Sequence, residues 1–170
     1  MPPDTGFKIA FGPNAKSGDL SDFSRSVLND IMGVAGVVTL TITSTQRSPQ
    51  DQARVMFANI ERDGVAKQKA LYKAPGQAVI DAYAAAKAAG KSPDEIKAAM
   101  VARILELGPE KVSRHAADPK VLNVFDVSPA SVSRGDAFVA AARNDARVSK
   151  VLTPANNDPA FHLEIPQPQA

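Results

Sequence analysis

Apolar residues recur at the three-to-four-residue spacing of an amphipathic helix between residues 21 and 36. Ser21 precedes this run as a candidate N-cap, and Gly36 closes it in the position where helices commonly end. The pattern therefore predicts a helix over residues 21–36. The apolar residues that fall at this helical spacing are Phe23, Val27, Ile31 and Val34.

Four later stretches also predict helices. In SPDEIKAAMVARILELG, Ser92 is the candidate cap, Pro93 occupies the first turn and Gly108 closes the run. A similar Ser-Pro start opens the stretch at residue 48, and an Ala-rich stretch ends at Gly90. The predicted ranges are residues 48–64, 75–90, 92–108 and 134–146.

Short β-branched or alternating stretches predict strands. Their ranges are residues 37–43, 122–128, 147–153 and 162–166. Helices come first and most strands later, so the order predicts an α+β fold in one domain over residues 1–170. We expect a small antiparallel sheet flanked by helices, with a mostly helical N-terminal and central part. Residues 1–18 are predicted to be an extended arm, and residues 167–170 a loose tail.

The composition of the chain limits which partners and metal ligands are possible, but it adds little to the prediction of the fold. The chain has 170 residues and is 44% hydrophobic, which is enough to bury a core. The chain has 20 Lys and Arg residues and 18 Asp and Glu residues, so its net charge is only +2. The basic residues are spread along the chain rather than clustered, which argues against a nucleic-acid partner. No run reaches the ~18–20 apolar residues of a membrane helix, and the first residues do not resemble a secretory signal. There is no Cys, so any metal must be held by His and carboxylate groups.

The two histidines of the chain both have acidic neighbours. His115 precedes a predicted strand that contains Asp126 among apolar residues, where an unpaired carboxylate would be costly to bury. Asp126 is thus a better ligand candidate than Asp118, which lies in a turn-like setting. On a strand, His162 and Glu164 would share one face and look into a cleft, while the apolar residues between them face the core. The histidines are either metal ligands or internal hydrogen-bond partners, and spacing alone leaves both open.

Three blocks of the chain resemble, in order, the signature blocks of the M15 family of zinc peptidases. They are TSTQRSPQDQA (43–53), SRHAADPKVLNVFDV (113–127) and DPAFHLEIP (158–166). This family includes D-Ala-D-Ala carboxypeptidases and phage endolysins that act as L-alanyl-D-glutamate endopeptidases. The resemblance implies a hydrolase, a zinc metallopeptidase that cleaves stem peptides of bacterial peptidoglycan and so takes part in cell wall degradation.

The resemblance also implies roles for individual residues. The residues that resemble zinc ligands are His115, Asp126 and His162. Ser113 matches a serine that supports the ligands and contributes to substrate binding. Arg47 resembles an arginine that binds a substrate carboxylate or stabilises developing negative charge. Asp158 resembles the catalytic acid that precedes the last histidine.

Two departures from the family pattern bear on these roles. The gap between His115 and Asp126 is longer than is usual in the family, which indicates a small insertion. The general base usually lies three places before the last histidine, and Pro159 stands there. Asp158 lies one place further out, and Glu164 is the other candidate for this catalytic role.

Several questions stay open at this level. The sequence does not separate an exopeptidase from an endopeptidase, and it leaves a non-catalytic peptidoglycan-binding or assembly module as the alternative function. The N-terminal sequence predicts synthesis in the cytoplasm without a signal peptide. Action in the periplasm or cell wall would then follow lysis, or delivery by a phage or a secretion apparatus.

Overall fold

The computed structural model describes residues 6–156 and 158–169, and they form an α+β fold, as predicted. The α-helices are α1 (Asp22–Ala35), α2 (Pro49–Asp63), α3 (Val65–Leu71), α4 (Ala74–Ala88), α5 (Pro93–Leu107), α6 (Pro109–Val112) and α7 (Gly135–Asn144). The strands are β1 (Lys8–Phe11), β2 (Thr39–Ser44), β3 (Leu122–Val127), β4 (Lys150–Leu152) and β5 (Phe161–Pro166). Within the described ranges, every helix is too short or too polar to cross a bilayer.

Packing divides the chain into two compact units. The first unit consists of Met1–Gln46 with Asp118–Ala170, and the second of Arg47–Ala117. The sheet, α1 and α7 belong to the first unit, and α2 to α6 belong to the second. A single domain over residues 1–170 stays a prediction.

The sheet of the first unit has the strand order β1-β2-β3-β5-β4. The pairs β2–β3, β3–β5 and β5–β4 are antiparallel, as expected. The edge pair β1–β2 is parallel, which makes the sheet mixed rather than wholly antiparallel. β5 is the last strand in the chain, but it lies between two neighbours in the sheet.

The expected arm over residues 1–18 is only partly correct, because Lys8–Phe11 forms β1. The Lys8 N–H donates to Val38 O at 2.8 Å, and the Gly12 N–H donates to Ile42 O at 2.8 Å. Alternate residues of this segment also pack against the core, which compensates for the cost of ordering it. They are Phe7, Ile9 and Phe11. Residues 1–5 of the predicted arm and residue 170 of the tail lie outside the described residues.

The predicted loose tail is also partly ordered at its first residue. The Gln167 backbone N–H donates to Val121 O at 2.9 Å, and its side-chain amide donates to Ser24 Oγ at 3.0 Å. Ser24 in turn donates to Asn123 Oδ1 at 2.7 Å. These bonds satisfy buried polar groups beside the core, so they fix the chain just after β5.

One face of the sheet packs against α1 and α7 to form the core of the first unit. Ser21 caps α1 by accepting the Ser24 N–H at 3.1 Å, and Gly36 ends it in the left-handed region with φ 71°. The sheet residues in this core include Phe125, Val127, Phe161, Leu163 and Ile165. Because strand side chains alternate, the residues between them point to the other face of the sheet.

The second unit is a helical cluster with its own apolar core, formed by residues of α2, α4, α5 and α6. Two of its helices start as the sequence predicts: Ser48 caps α2, and Ser92 forms a capping box with Glu95 on α5. The short helices α3 and α6 were not predicted. Gly76 on α4 lies against Tyr72, and a Cβ placed there would be 2.3 Å from the ring atom Cδ1 of Tyr72. This close approach requires glycine at residue 76.

Candidate metal centre

β3 and β5 place three candidate residues on one face of the sheet. In their antiparallel register, Asp126 lies opposite His162 and Val124 lies opposite Glu164. The apolar residues Phe161, Leu163 and Ile165 face the core, as the alternation predicts. His162 is 5% exposed and Glu164 is 2% exposed, so they are buried rather than open to solvent. The strand pattern therefore predicts the facing of these residues correctly but not their burial.

The imidazole of His162 is held between two carboxylates. Its Nδ1 lies 3.1 Å from Asp126 Oδ1, and its Nε2 lies 2.8 Å from Glu164 Oε2. Asp126 was expected to have a partner because it lies within an apolar strand, and this contact with His162 provides one. The two carboxylates approach the ring from opposite sides, which fixes its orientation.

This environment changes the proton affinity of His162. Burial by itself lowers the pKa of the imidazole, but hydrogen bonds with Asp126 and Glu164 and their negative charges raise it to about 9. Without a metal ion, the ring is therefore protonated at neutral pH. A cation that binds at one ring nitrogen must displace a proton from that position.

His115 lies on a short 3-10 turn, Arg114–Ala116, at the end of the second unit. The Ala116 N–H donates to Ser113 O at 3.0 Å and closes this turn. The carbonyl oxygen of His115 accepts the Arg47 N–H at 2.6 Å. Backbone hydrogen bonds thus hold the main chain on both sides of His115. The residue as a whole is 9% exposed. Ser113 contributes to this turn through its backbone.

His115, Asp126 and His162 form a group that could hold a metal ion. Each offers one ligand atom, and these atoms lie within 4.8 Å of one another. Two imidazoles and one carboxylate are a donor set suited to zinc, with a coordination position left for a small molecule. Tetrahedral zinc with bonds of about 2.0–2.1 Å would separate its ligand atoms by about 3.3 Å, which is less than the 4.8 Å within which these atoms lie.

Asp158, the other predicted acid, is not a member of this group. Its Oδ1 accepts the Ala160 N–H at 2.9 Å, and its own N–H donates to Thr153 O at 3.2 Å. These bonds shape the loop that leads into β5. The carboxylate is partly exposed, in contrast to that of Glu164.

Arg47 has two neighbours that the sequence analysis missed. Its guanidinium lies 3.4 Å from Oε1 of Gln52, which is fully buried on α2. Among the described side chains, the Nε2 of Gln52 is a buried nitrogen without a hydrogen-bond partner. Burial raises the pKa of Tyr72, while the positive charge of Arg47 and a side-chain interaction with Gln52 oppose this increase. The sequence did carry a signal that Gln52 is buried. Gln52, Met56 and Ile60 follow one another at intervals of four residues, which places them on the same face of α2.

Comparisons with models of known families, with curated proteins and with solved structures found no match to this chain.

Proposed function

We propose that the protein is a zinc-dependent peptidase that hydrolyses peptide bonds in the stem peptides of bacterial peptidoglycan. The observation that carries the proposal is the grouping of His115, Asp126 and His162, whose ligand atoms lie within 4.8 Å of one another. Asp126 follows His115 by 11 residues and precedes His162 by 36, and the resemblance to the M15 family selected the same three residues. The proposed substrate would place its action in the periplasm or cell wall.

The three residues of the group would hold zinc. Bound zinc would supply Lewis-acid polarisation of the scissile carbonyl and lower the pKa of a water molecule to about 7. Arg47 would bind a substrate carboxylate or the developing oxyanion through its forked donors. Its backbone bond to His115 supports this role, because it ties the arginine to the segment that carries a ligand.

Asp158 is the better candidate for proton transfer in this proposal. Glu164 is only 2% exposed, and it is hydrogen-bonded to His162. Asp158 is partly exposed on a loop, and one of its oxygens has a backbone partner at 2.9 Å. It would accept the proton of the attacking water and transfer it to the leaving amine.

The test is zinc content together with muropeptide analysis after digestion of purified sacculi. We expect a single zinc ion per chain and newly cleaved stem peptides, whose masses identify the bond and separate carboxypeptidase from endopeptidase activity. His162→Ala should abolish zinc binding and cleavage, whereas Glu106→Gln, at an exposed acid on α5, should change neither. Full activity of His162→Ala would overturn the proposed site.

One observation favours a second candidate, a non-catalytic module that binds peptidoglycan or assists its assembly. Both candidate acids already have partners: Glu164 contacts His162, and Asp158 accepts a backbone N–H. Such a module would bind zinc and sediment with sacculi but release no stem-peptide fragments. The same digestion distinguishes the two candidates, because only the peptidase produces new muropeptides.

A further inference from the structure

The two carboxylates beside His162 differ in their surroundings. Asp126 belongs to the candidate metal group, and 17% of its side chain is exposed. Glu164 is not a member of that group, its side chain is 2% exposed, and its Oε2 lies 2.8 Å from His162 Nε2. Nδ1 therefore faces the candidate ligand Asp126, and Nε2 faces a fully buried acid.

The position of Glu164 is fixed by the sheet rather than by a mobile loop. Glu164 lies opposite Val124 on one neighbouring strand and opposite Lys150 on the other. Its carbonyl oxygen also accepts the Ser149 N–H at 2.9 Å. The backbone of Glu164 is therefore paired on both sides, and burial of its side chain restricts the carboxylate to its contact with Nε2.

A histidine that binds a metal gives up the lone pair of one nitrogen and keeps a proton on the other. A buried carboxylate beside Nε2 favours the tautomer that carries the proton there. We propose that Glu164 is a positioning residue that holds the His162 proton on Nε2 and thereby makes Nδ1 the metal-ligating atom. This inference rests on the metal-binding part of the proposed function and does not require peptidase activity.

The arrangement matches a carboxylate–histidine–metal triad, in which a carboxylate outside the ligand set orients the ligating histidine and increases its basicity. Loss of such an acid typically weakens metal affinity by about 10- to 100-fold. The competing role for Glu164, as general base, requires its carboxylate to contact a water molecule at the open metal position. Its burial and its bond to His162 favour the positioning role.

The experiment combines histidine ¹⁵N NMR of the zinc-loaded protein with zinc affinity measured against a competing chelator. In the wild type, we expect His162 to be protonated at Nε2 and coordinated through Nδ1. Glu164→Gln keeps an acceptor for the Nε2 proton but loses the charge, so we expect the same tautomer and about tenfold weaker binding. Glu164→Leu removes the acceptor, so we expect a mixture of tautomers and about 100-fold weaker binding. Glu106→Gln is the control and should match the wild type.

The outcomes separate this inference from the proposed function. Zinc coordination through Nε2 in the wild type would overturn the role of Glu164 while leaving the metal site intact. A Glu164→Gln variant with wild-type affinity and tautomer but no cleavage would also overturn it and assign the base to Glu164. Zinc binding without any cleavage by the wild type would overturn the peptidase proposal alone. Failure of the wild type to bind zinc would overturn both.

Discussion

The backbone N–H of Arg47 donates a hydrogen bond of 2.6 Å to the carbonyl oxygen of His115. The two residues are 68 positions apart, and this bond joins the start of the second unit to its end. Because the bond uses only main-chain atoms, it survives most substitutions of either side chain. The role of the Arg47 guanidinium can therefore be tested without releasing the His115 turn.

We expect Arg47→Ala to reduce kcat/KM for stem-peptide cleavage by about 100- to 1,000-fold, since one charge-stabilising donor is lost. Zinc affinity should change by less than about twofold, because the backbone bond to His115 remains. Steady-state kinetics and chelator competition measure the two effects. Arg54→Ala, at an exposed position on α2, is the matched control and should have wild-type kinetics. An equal loss of zinc from Arg47→Ala would contradict a substrate-binding role.

Zinc affinity should depend on pH through His162. The pKa of this residue in the metal-free protein is about 9, so its ring is protonated at neutral pH and must lose one proton to bind zinc. Apparent affinity should therefore increase by about tenfold per pH unit towards pH 9, with one proton released for each ion bound. Isothermal titration in buffers of different ionisation enthalpy counts these protons. A pH-independent affinity would count against His162 as a ligand.

The stability of the metal-free protein should show the opposite trend. The folded-state pKa of His162, about 9, lies above the ordinary value of 6.5, so its protonation stabilises the folded state. That contribution is fully present below about pH 6.5 and is lost as the pH rises through about 9. Urea unfolding in excess chelator should show this decrease. His162→Asn should lose most of it, since no imidazole titrates at that position.

Gln52 should contribute little to stability, although it is fully buried. Among the described residues, its Nε2 has no close hydrogen-bond partner, and such a buried donor costs about 1–3 kcal/mol. We therefore expect Gln52→Met to leave the free energy of unfolding unchanged or to raise it by about 1 kcal/mol. We expect KM to increase, because Arg47 loses its contact with Oε1. Gln77→Met is the control and should destabilise, since Gln77 donates to Tyr72 O at 2.9 Å. If Gln52→Met lost as much stability as Gln77→Met, the hydrogen bonds of Gln52 would contribute to stability, contrary to this prediction.

Gly76→Ala should destabilise the second unit, although Gly-to-Ala changes within helices usually stabilise them. The new Cβ would lie 2.3 Å from Cδ1 and 2.6 Å from Cβ of Tyr72, so the backbone at Tyr72 would have to shift. Overpacking of this kind costs about 1–3 kcal/mol, measurable by urea unfolding. In Gly18→Ala, the new Cβ would have no atom of the described residues within 4 Å, so this variant should be neutral. Similar stabilities for the two variants would show that Tyr72 adapts freely.

Helix boundaries were the most predictable feature, because their signals are local. Ser21, Ser48 and Ser92 each accept the backbone N–H of the residue three positions later, as expected from their places before amphipathic runs. β1 was missed because its stability comes from pairing with β2 and packing on a distant core. The Pro and Gly residues around it dominate the local pattern.

The members of the candidate metal group were predictable, because the resemblance selected the three residues that form it. Alternation along β5 indicated that His162 and Glu164 share a face, yet it could not show that both are buried and bonded to each other. The resemblance selected Arg47 but offered no sign of Gln52, whose contact with it depends on the geometry of the first turn of α2. Hydrogen-bond partners depend on tertiary distances, which a single sequence does not encode directly.

The central position of β5 has a consequence for synthesis. The ribosome makes β1 to β4 before β5, yet β5 separates β3 from β4 in the finished sheet. A nascent chain that ends before residue 162 therefore leaves a gap between two strands and lacks one of the three candidate ligands. Metal binding by this group would then be a late event in biogenesis.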